Sequence, residues 1–394
     1  MAHVRKRHLT TLLNKSLKFS PIVGLLGHRQ AGKTTLAEII GEKYITLDSP
    51  TDSSLALTNS TAFLAQNAAN PLVIDECQLA PPLFPALKEW VRIKKSPGQF
   101  LLTGSVRFSS RKAIRESLTG RIITWELLPM DWAEQNHQSL KDSLIRLADR
   151  LNVPLKPNST FTLSNYRKHV EMGGLPGVFG VRDSSIRAQR FETQINTILE
   201  RDLRLLLQTT LSYTNLRALF TALAKQVGSS LEITALVKET RISQPTIRKL
   251  LPIFESLFLI RMVPSEGSYS KPMVFLEDLG EFFHLLSPPT DDHRVFVSFL
   301  FQNLRTQLHY RPELKARIFS FRTKAGHYLP FCFSLGGDKI LGIVPLEQSL
   351  DLALSSARQF RRTYPKAKVL IVSLEDNDTL IEEGVRWVGV GRLI

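Results

Sequence analysis

The sequence predicts an α/β fold built on a parallel sheet with flanking helices, followed by smaller units. Three apolar stretches, at residues 21–26, 71–74 and 100–102, predict buried strands that each run into glycine or polar residues. Apolar residues at helical spacing follow two of them, over residues 34–42 and 83–93. Strands that alternate with helices are typical of parallel sheets. A chain of 394 residues, 43% hydrophobic and 22% charged, is expected to be globular with two or three domains.

The residues after the first predicted strand form a glycine loop in the segment LLGHRQAGKTTLAEII, residues 25–40. Gly27 is followed by four residues and then Gly32-Lys33-Thr34, the pattern in which backbone N–H groups and Lys hold phosphates and Thr holds Mg²⁺. The loop stands between a strand and a helix, whose N-terminus favours an anion. We therefore expect a P-loop that binds Mg-ATP rather than a glycine turn beside one surface lysine. The predicted nucleotide-binding residues here are Gly27, Gln30, Ala31, Gly32, Lys33, Thr34 and Thr35.

Two acidic residues, Asp75 and Glu76, follow the second apolar stretch directly. An apolar strand that ends in two carboxylates is the Walker B arrangement, in which the first reaches Mg²⁺ or its water and the second polarises the attacking water. Strands often end in acids, but this pair follows a good phosphate loop. We therefore expect Thr34 and Asp75 at the metal, and Lys33, Asp75 and Glu76 in catalysis.

Polar residues also follow the strand at 100–102, and an arginine follows a predicted helix over 111–120. Thr103 or Ser105 is placed to sense the γ-phosphate, and the alternative is that they only end the strand. Arg121 opens the predicted strand 122–127. It is either a fixed surface charge or an arginine finger that reaches the ATP of a neighbouring subunit in a homo-oligomer.

The charge balance is strongly basic, with 51 Lys and Arg against 36 Asp and Glu and a formal charge of +15. This favours an anionic partner beyond ATP or ADP, with nucleic acid first, over a generally basic solvated surface. Residues 1–19 predict a basic amphipathic helix. Cys77 and Cys332 lack a second Cys or His at metal spacing, and no apolar stretch approaches the ~20 residues of a membrane helix. We expect a reduced, cytoplasmic protein without a membrane anchor.

Four segments, GHRQAGKTTL, PLVIDECQLAPPLFPALKEWV, PGQFLLTGS and ESLTGRI, resemble in order and spacing the AAA+ superfamily. They look most like bacterial and archaeal ATPases with an Orc/Cdc6-like core, a winged helix and a restriction-endonuclease-like tail of unknown function. His28 and Arg92 depart from the family pattern, where Pro and Asp are usual. The resemblance implies an ATPase core with a basic N-terminal helix (1–135), a helical lid (136–210), a winged helix (211–288) and a small α/β tail (289–394).

The predicted lid contains a helix over 161–171, the turn Gly173-Gly174-Leu175-Pro176 and a long charged helix over 187–206. The resemblance implies that Pro176 lies against the adenine. The alternative is a plain helix-stopping turn.

The next segment, residues 231–259, has helix-turn-helix character, and strands over 258–263 and 273–276 predict a wing joined around residues 266–268. Ser243 can cap the second helix, Pro245 fits its first turn, and Pro252 is expected to kink or shorten it. Thr246, Arg248 and Lys249 could enter a DNA major groove. A protein-contact role for the same domain stays open.

The tail is similar to a restriction endonuclease only in outline. The resemblance places catalytic acids near Leu329-Pro330-Phe331 and in the segment Ile343–Leu346, and the chain has none there. We therefore expect no cleavage, and an ATP-coupled nuclease ranks last among the functions considered. Its basic residues could still hold nucleic acid. They are Arg358, Arg361, Arg362, Lys366 and Lys368.

The function these observations favour is an oligomeric AAA+ ATPase that hydrolyses Mg-ATP and engages nucleic acid or protein through its carboxyl-terminal units. The alternative is an ATP-gated signalling or scaffold protein with slow or no hydrolysis.

Overall fold

The computed structural model describes residues 5–108, 116–267, 271–286, 291–347 and 349–394. A five-stranded, fully parallel sheet with strand order β2-β3-β4-β1-β5 forms the first part of the chain. Its strands are β1 (Ile22–Gly27), β2 (Lys43–Thr46), β3 (Leu72–Asp75), β4 (Phe100–Gly104) and β5 (Ile122–Leu127). Strands β1, β3 and β4 are buried along their whole length, as expected where helices cover a parallel sheet. This is a P-loop NTPase core, and it confirms the predicted α/β fold.

Among the described residues, the helices that flank this sheet include α1 (Thr10–Leu17), α2 (Lys33–Ile40), α3 (Pro50–Thr58), α4 (Ser60–Gln66) and α5 (Leu83–Ile93). The predicted N-terminal helix corresponds to α1, where Leu9 and Leu13 are fully buried in a cluster with Val23 and Leu25 of β1. Half of the helix predicted over 111–120, residues 111–115, lies outside the described residues. Residues 116–118 are helical, and the backbone turns at Gly120, with φ +75°, before β5.

The helices after β5 are α6 (Trp132–Gln135), α7 (Ser143–Asp149), α8 (Leu163–Met172) and α9 (Ser184–Thr197). Helix α9 continues through a π-helical turn, Ile198–Asp202, into α10 (Leu203–Leu206). The sequence predicts one long helix here and gives no indication of the π turn, which widens the backbone by one residue.

Three helices and a two-stranded antiparallel hairpin follow: α11 (Tyr213–Ala224), α12 (Ile233–Thr240), α13 (Gln244–Ser256), β6 (Ile260–Val263) and β8 (Met273–Leu276). Ser243 caps α13 by accepting a hydrogen bond from the N–H of Thr246. Pro252 lies inside α13 and does not shorten it, because the helix runs on to Ser256. The winged-helix assignment stays a prediction.

A seven-stranded mixed sheet, β13-β14-β12-β11-β10-β9-β7, closes the chain. Its strands are β7 (Ser265–Gly267), β9 (Arg317–Arg322), β10 (Tyr328–Ser334), β11 (Ile340–Pro345), β12 (Lys368–Ser373), β13 (Asp378–Glu382) and β14 (Val385–Gly389). The predicted wing turn is therefore partly a strand of this sheet, since β7 pairs in parallel with β9. The last helices are α14 (Leu279–Leu285), α15 (Asp292–His309) and α16 (Leu350–Thr363).

Helix α15 is the central element of the carboxyl-terminal two thirds. Every residue from 295 to 308 is buried. One hydrophobic cluster includes Val106 and extends from Trp132 through α15 to Ile394, with side chains of α7, α11, α13, β8 and β11. The helices after the first sheet, the hairpin and the second sheet thus share one core.

Candidate functional site

The candidate site is a cavity of about 690 Å³ at the carboxyl ends of β1 and β3. The glycine loop and the first turns of α2 form its floor, and residues 176–181 form the opposite wall. It brings together most of the residues predicted for nucleotide binding. Those that line it are Gln30, Gly32, Lys33, Thr34, Thr35, Asp75, Glu76 and Pro176.

Two glycines are needed for the shape of the loop. Gly27 ends β1 with φ +155°, and a Cβ there would lie 2.5 Å from the carbonyl oxygen of Leu127. Gly32 has φ +91° and caps α2, so L side chains are disfavoured at this position as well. Helix α2 begins at Lys33, and the N–H groups of its first turn therefore face the cavity without helical acceptors. The loop presents the backbone donors that a phosphate requires.

Lys33 is buried inside the loop. Its ammonium donates to the carbonyl oxygens of Gly27 and His28 at 3.0 and 2.9 Å. Burial lowers the pKa of Lys33, and the charges of Glu76 and Asp75 oppose this shift. The ammonium thus lies at the centre of the loop with two carboxylates nearby, as the phosphate-gripping role requires.

Asp75, at the end of β3, accepts three side-chain hydrogen bonds. Its Oδ2 accepts from the hydroxyls of Thr34 at 2.9 Å and Tyr44 at 2.5 Å, and its Oδ1 accepts from the hydroxyl of Thr103. Burial raises the pKa of Tyr44 well above its ordinary value, and the hydrogen bond to Asp75 raises it further. Thr34 and Asp75 therefore lie side by side as hard oxygen donors, which is the donor set that Mg²⁺ prefers.

Glu76 follows with a left-handed backbone, φ +53°, which turns its carboxylate away from the path of β3. The carboxylate accepts from the amide of Gln78, and at 3.2 Å from the hydroxyl of Ser105. The same amide lies 3.3 Å from the Ser105 hydroxyl. Each sensor candidate thus donates to a different carboxylate: Thr103 donates to Asp75, and Ser105 donates to Glu76.

The turn that contains Pro176 packs on the loop. A Cβ on Gly32 would lie 3.4 Å from the Pro176 ring, and the N–H of Gly177 donates to the carbonyl oxygen of Gln30 at 3.5 Å. Asp278 fixes the start of this turn, because its carboxylate accepts from the N–H of Gly174 at 2.6 Å. Pro176 is therefore at the cavity wall, and its contact with adenine stays a prediction.

Arg121 does not reach this cavity. It precedes β5, whose Ile122 pairs with Ile22 at the start of β1, whereas the phosphate loop leaves β1 after Gly27. Five residues of strand separate the two ends, roughly 16 Å. Its guanidinium contacts the carbonyl oxygen of Thr119 within its own turn. Any catalytic role for Arg121 therefore requires the site of another subunit.

Two arginines at the loop were not singled out as site residues from the sequence. Arg7 is buried and donates to the carbonyl oxygens of Ala31 and Leu128 at 2.5 and 2.6 Å, and its Nε donates to Glu134 at 2.9 Å. Arg29 lines the cavity and pairs with Asp202 at 2.5 Å. The acceptors of Arg7 and Arg29 are either more than 100 residues away in sequence or backbone carbonyl oxygens. No local sequence pattern therefore indicates that these two arginines belong to the site.

His28 leaves the loop in the opposite direction and enters a buried polar cluster. Its Nε2 lies 3.3 Å from a Glu281 carboxylate oxygen, and both side chains are fully buried. Burial lowers the pKa of His28, but the charge of Glu281 and its hydrogen bond raise it, and the net shift is upward. Gln194 donates to the other oxygen of Glu281 at 2.7 Å. His28, which stands where the family pattern has Pro, thus connects the phosphate loop to Glu281 of α14 and, through it, to Gln194 of α9.

Comparison with known proteins agrees with this core. Residues 19–136 match the family described as an AAA domain, and residues 163–274 match a domain of unknown function. The glycine loop, the Walker B strand and the parallel sheet thus define a P-loop NTPase core that is similar to AAA domains over residues 19–136.

The curated relatives are uncharacterised proteins of Mycobacterium bovis and Mycobacterium tuberculosis. Each is 28% identical over 294 residues, which is 72% of this chain and 60% of the relative. The match therefore spans less than two thirds of their length.

Among solved structures, a Walker-type ATPase of Pyrococcus abyssi is 17% identical, covers 70% of this chain and 94% of its own, and has a TM-score of 0.42. A DNA polymerase III gamma subunit-related protein of Thermotoga maritima is 12% identical, with coverage of 63% and 99% and a TM-score of 0.23. These likenesses are too distant for any role to be transferred.

Two further features bear on the predictions. Within the described ranges, no group of three or more His, Cys, Asp or Glu side chains is arranged to hold a metal. A Mg²⁺ held mainly by phosphates needs only one or two protein oxygens, so Thr34 and Asp75 still fit it. Of the helices in the described part of the chain, none has the length and apolar character to span a bilayer.

Proposed function

We propose that this chain binds Mg-ATP in the 690 Å³ cavity and hydrolyses it. The observation that carries the proposal is the convergence of Lys33, Thr34, Asp75 and Glu76 on one cavity floor, each held by named hydrogen bonds. The match of residues 19–136 to an AAA domain supports the nucleotide part of the proposal.

Each side chain has a role that follows from its position. Lys33 exchanges its two carbonyl acceptors for phosphate oxygens, Thr34 and Asp75 supply oxygens to the metal, and Glu76 orients and polarises the water. Mg²⁺, when bound, neutralises charge on the phosphates. For Glu76 to contact water at the γ-phosphate, its carboxylate has to give up Gln78 or Ser105 as a partner.

The experiment is a pair of variants measured by calorimetry with Mg-ATP and by phosphate release. Lys33→Ala is expected to weaken Mg-ATP binding by at least about tenfold, because charge-assisted hydrogen bonds to phosphate are lost. Glu76→Gln is expected to bind Mg-ATP like the parent and to hydrolyse it on the order of 100-fold more slowly. Lys95→Ala, at an exposed lysine outside the cavity lining, is the control. Unchanged affinity in Lys33→Ala would refute the site.

The carboxyl-terminal units are proposed to couple the nucleotide state to nucleic acid. Arg248 and Lys249 support this, because both are exposed on α13 and free of ion pairs within the described residues. In the tail, three of the basic side chains are already engaged by other groups of the chain. Arg358 pairs with Glu382, Lys366 pairs with Asp338, and Lys368 donates to backbone carbonyls. A double charge reversal, Arg248→Glu with Lys249→Glu, is expected to reduce the salt-dependent binding of duplex DNA. Equal binding by the variant would contradict this coupling.

A second candidate is a nucleotide-gated interaction protein with slow or no hydrolysis. The specific observation in its favour is that the Glu76 carboxylate is engaged by both Gln78 and Ser105. Slow turnover in the parent, accompanied by a nucleotide-dependent change in size by light scattering, would favour this candidate. A Gln78→Ala variant that hydrolyses faster than the parent would identify the restraint on Glu76 as the cause.

A further inference from the structure

A second cavity, of about 350 Å³, lies between β6, the end of α15 and residues 311–318. We name it the basic cavity, because four cationic side chains line it: Arg261, Arg305, Arg311 and Lys315. Leu128 forms part of its wall, and it shares no lining residue with the nucleotide cavity. Its volume is at the lower end of the range for small-molecule sites.

The deeper half of the basic cavity is built from balanced charges. Arg305 is buried and donates to both carboxylate oxygens of Glu277, and Arg261 pairs with Glu277 and Glu126. Glu255 adds a third carboxylate near Arg261, and Arg107 pairs with Glu126. Even so, the Nε atoms of Arg261 and Arg305 are buried without a hydrogen-bond partner among the described residues. Buried donors of this kind are rare.

The outer half carries charge that is not balanced by contact. Neither Arg311 nor Lys315 forms an ion pair with any residue in the described ranges. Arg311 donates to the backbone carbonyl oxygens of Lys141 and Gln307, which carry no net charge. The charges of Asp142 and Glu313 act on Arg311 only through space. Lys315 is exposed at the rim. Two cations therefore face one opening.

Most of the remaining wall is apolar, apart from His309, whose pKa is lowered by burial. Met262, Phe301, Leu308 and Ile318 contribute side chains to it. An inorganic ion would leave this surface unfilled, whereas an anion with an apolar body would cover it.

We propose that the basic cavity binds a small phosphate monoester with an apolar or aromatic body. The dianionic head matches the two unpaired cations, Arg311 and Lys315, and the body packs against Met262 and Ile318. Arginine and lysine are the residues that recognise such heads most often. The wall residue Leu128 accepts from Arg7, which also donates to Ala31 of the phosphate loop, so this site adjoins the nucleotide cavity without being part of it.

The test is isothermal titration of the full chain with phenyl phosphate at low salt. One saturable site is expected, and Lys315→Glu is expected to weaken it by at least about tenfold, since tenfold requires only ~1.4 kcal/mol. Ala316→Phe fills the cavity without removing charge and should abolish binding. Lys95→Glu, an exposed charge reversal outside both cavities, is the matched control. Benzoate, a monoanion, and inorganic phosphate, which has no body, are expected to bind more weakly.

Two results would overturn the proposal. One is no saturable heat with phenyl phosphate in the parent. The other is binding that disappears in Lys33→Ala but is unchanged in Lys315→Glu and Ala316→Phe, because the phosphate loop would then be the site. Thermal unfolding checks that each variant folds. If Ala316→Phe does not fold, Lys315→Glu against Lys95→Glu decides, since both replace exposed side chains.

Discussion

Asp75 and Glu76 are adjacent in sequence, yet separate sets of side chains hold them. Thr34, Tyr44 and Thr103 donate to Asp75. Gln78 and Ser105 donate to Glu76. The sequence leaves the sensor open between Thr103 and Ser105, and the geometry gives each a different carboxylate. The two can therefore be separated by experiment.

Thr103→Val is expected to raise the Mg²⁺ concentration needed for half-maximal hydrolysis, because Asp75 loses a donor that orients it toward the metal. Ser105→Ala is expected to lower kcat by about tenfold at unchanged Mg²⁺ dependence, because Glu76 loses a donor that orients it whereas Asp75 keeps all three of its donors. Phosphate release measured across a Mg²⁺ titration distinguishes them. Identical Mg²⁺ dependence in both variants would contradict the division of roles.

Asp278 predicts a pH dependence of stability. Burial, followed by the charge of Glu281, raises the pKa of Asp278 to about 7, against 3.8 in the unfolded chain. Between these values the folded chain holds a proton that the unfolded chain releases, so this contribution is full below pH 4 and is lost as the pH rises toward 7. His28, whose pKa is also raised, acts in the same direction.

From pH 5 to 7, the free energy of unfolding of the parent should therefore fall faster than that of Asp278→Asn, by up to about 1.4 kcal/mol per pH unit. Urea unfolding at several pH values measures the difference. Parallel pH profiles for the two proteins would show that Asp278 is ionised in the folded state.

At the scale of elements, two ion pairs join the P-loop core to the segment that contains the π turn. Arg29 pairs with Asp202, which is 3% exposed, and Arg201 pairs with Asp48, where both side chains are about half exposed. Burial lowers the pKa of Arg29, but the hydrogen bond and the charge of Asp202 raise it, and the net shift is upward. The two ion pairs join the same two parts of the chain but differ in burial, so a comparison of them shows how burial affects the strength of an ion pair.

Asp202→Asn is expected to destabilise the chain by about 2 kcal/mol, because the charge of Arg29 loses a shielded partner. Asp48→Asn is expected to cost less than about 1 kcal/mol, as for exposed pairs in general. Shifts of the urea midpoint measure both. An Asp48→Asn cost equal to that of Asp202→Asn would mean that burial does not control the strength of this connection.

Elements whose pattern is local could be predicted, and elements defined by distant partners could not. Strands β1, β3 and β4 and helix α2 follow from apolar runs, glycines and acids that are contiguous in sequence. The partner of Arg7 is 127 residues away, and β7 is a three-residue strand paired with β9. Neither the Arg7 contact nor strand β7 produces a periodic pattern in the sequence. The candidate site was largely predictable because the loop and the two carboxylates are motifs, whereas Gln78 and Arg29 act through contacts that only the fold creates.

For the whole molecule, the position of Arg121 makes oligomerisation testable. The hydrolysis rate per chain should rise with protein concentration if Arg121 completes a neighbouring site. Arg121→Ala should then lower kcat by at least about 1,000-fold while Mg-ATP affinity is retained. Arg362→Ala, at an exposed tail arginine, is the control. A rate that is independent of concentration, and equal in Arg121→Ala, would leave Arg121 as a surface charge.

Strand β7 has a practical consequence for anyone who dissects the chain. It lies before the boundary expected at residues 288 and 289, yet it pairs with β9 as the outermost strand of the carboxyl-terminal sheet. A fragment that starts at residue 289 would leave the backbone of β9 bare along one side. Bare strand edges recruit other chains. Self-association of such a fragment would thus be an artefact of the cut, and truncations meant to isolate the tail should begin before Pro264, whose carbonyl oxygen also accepts from the N–H of Ser320.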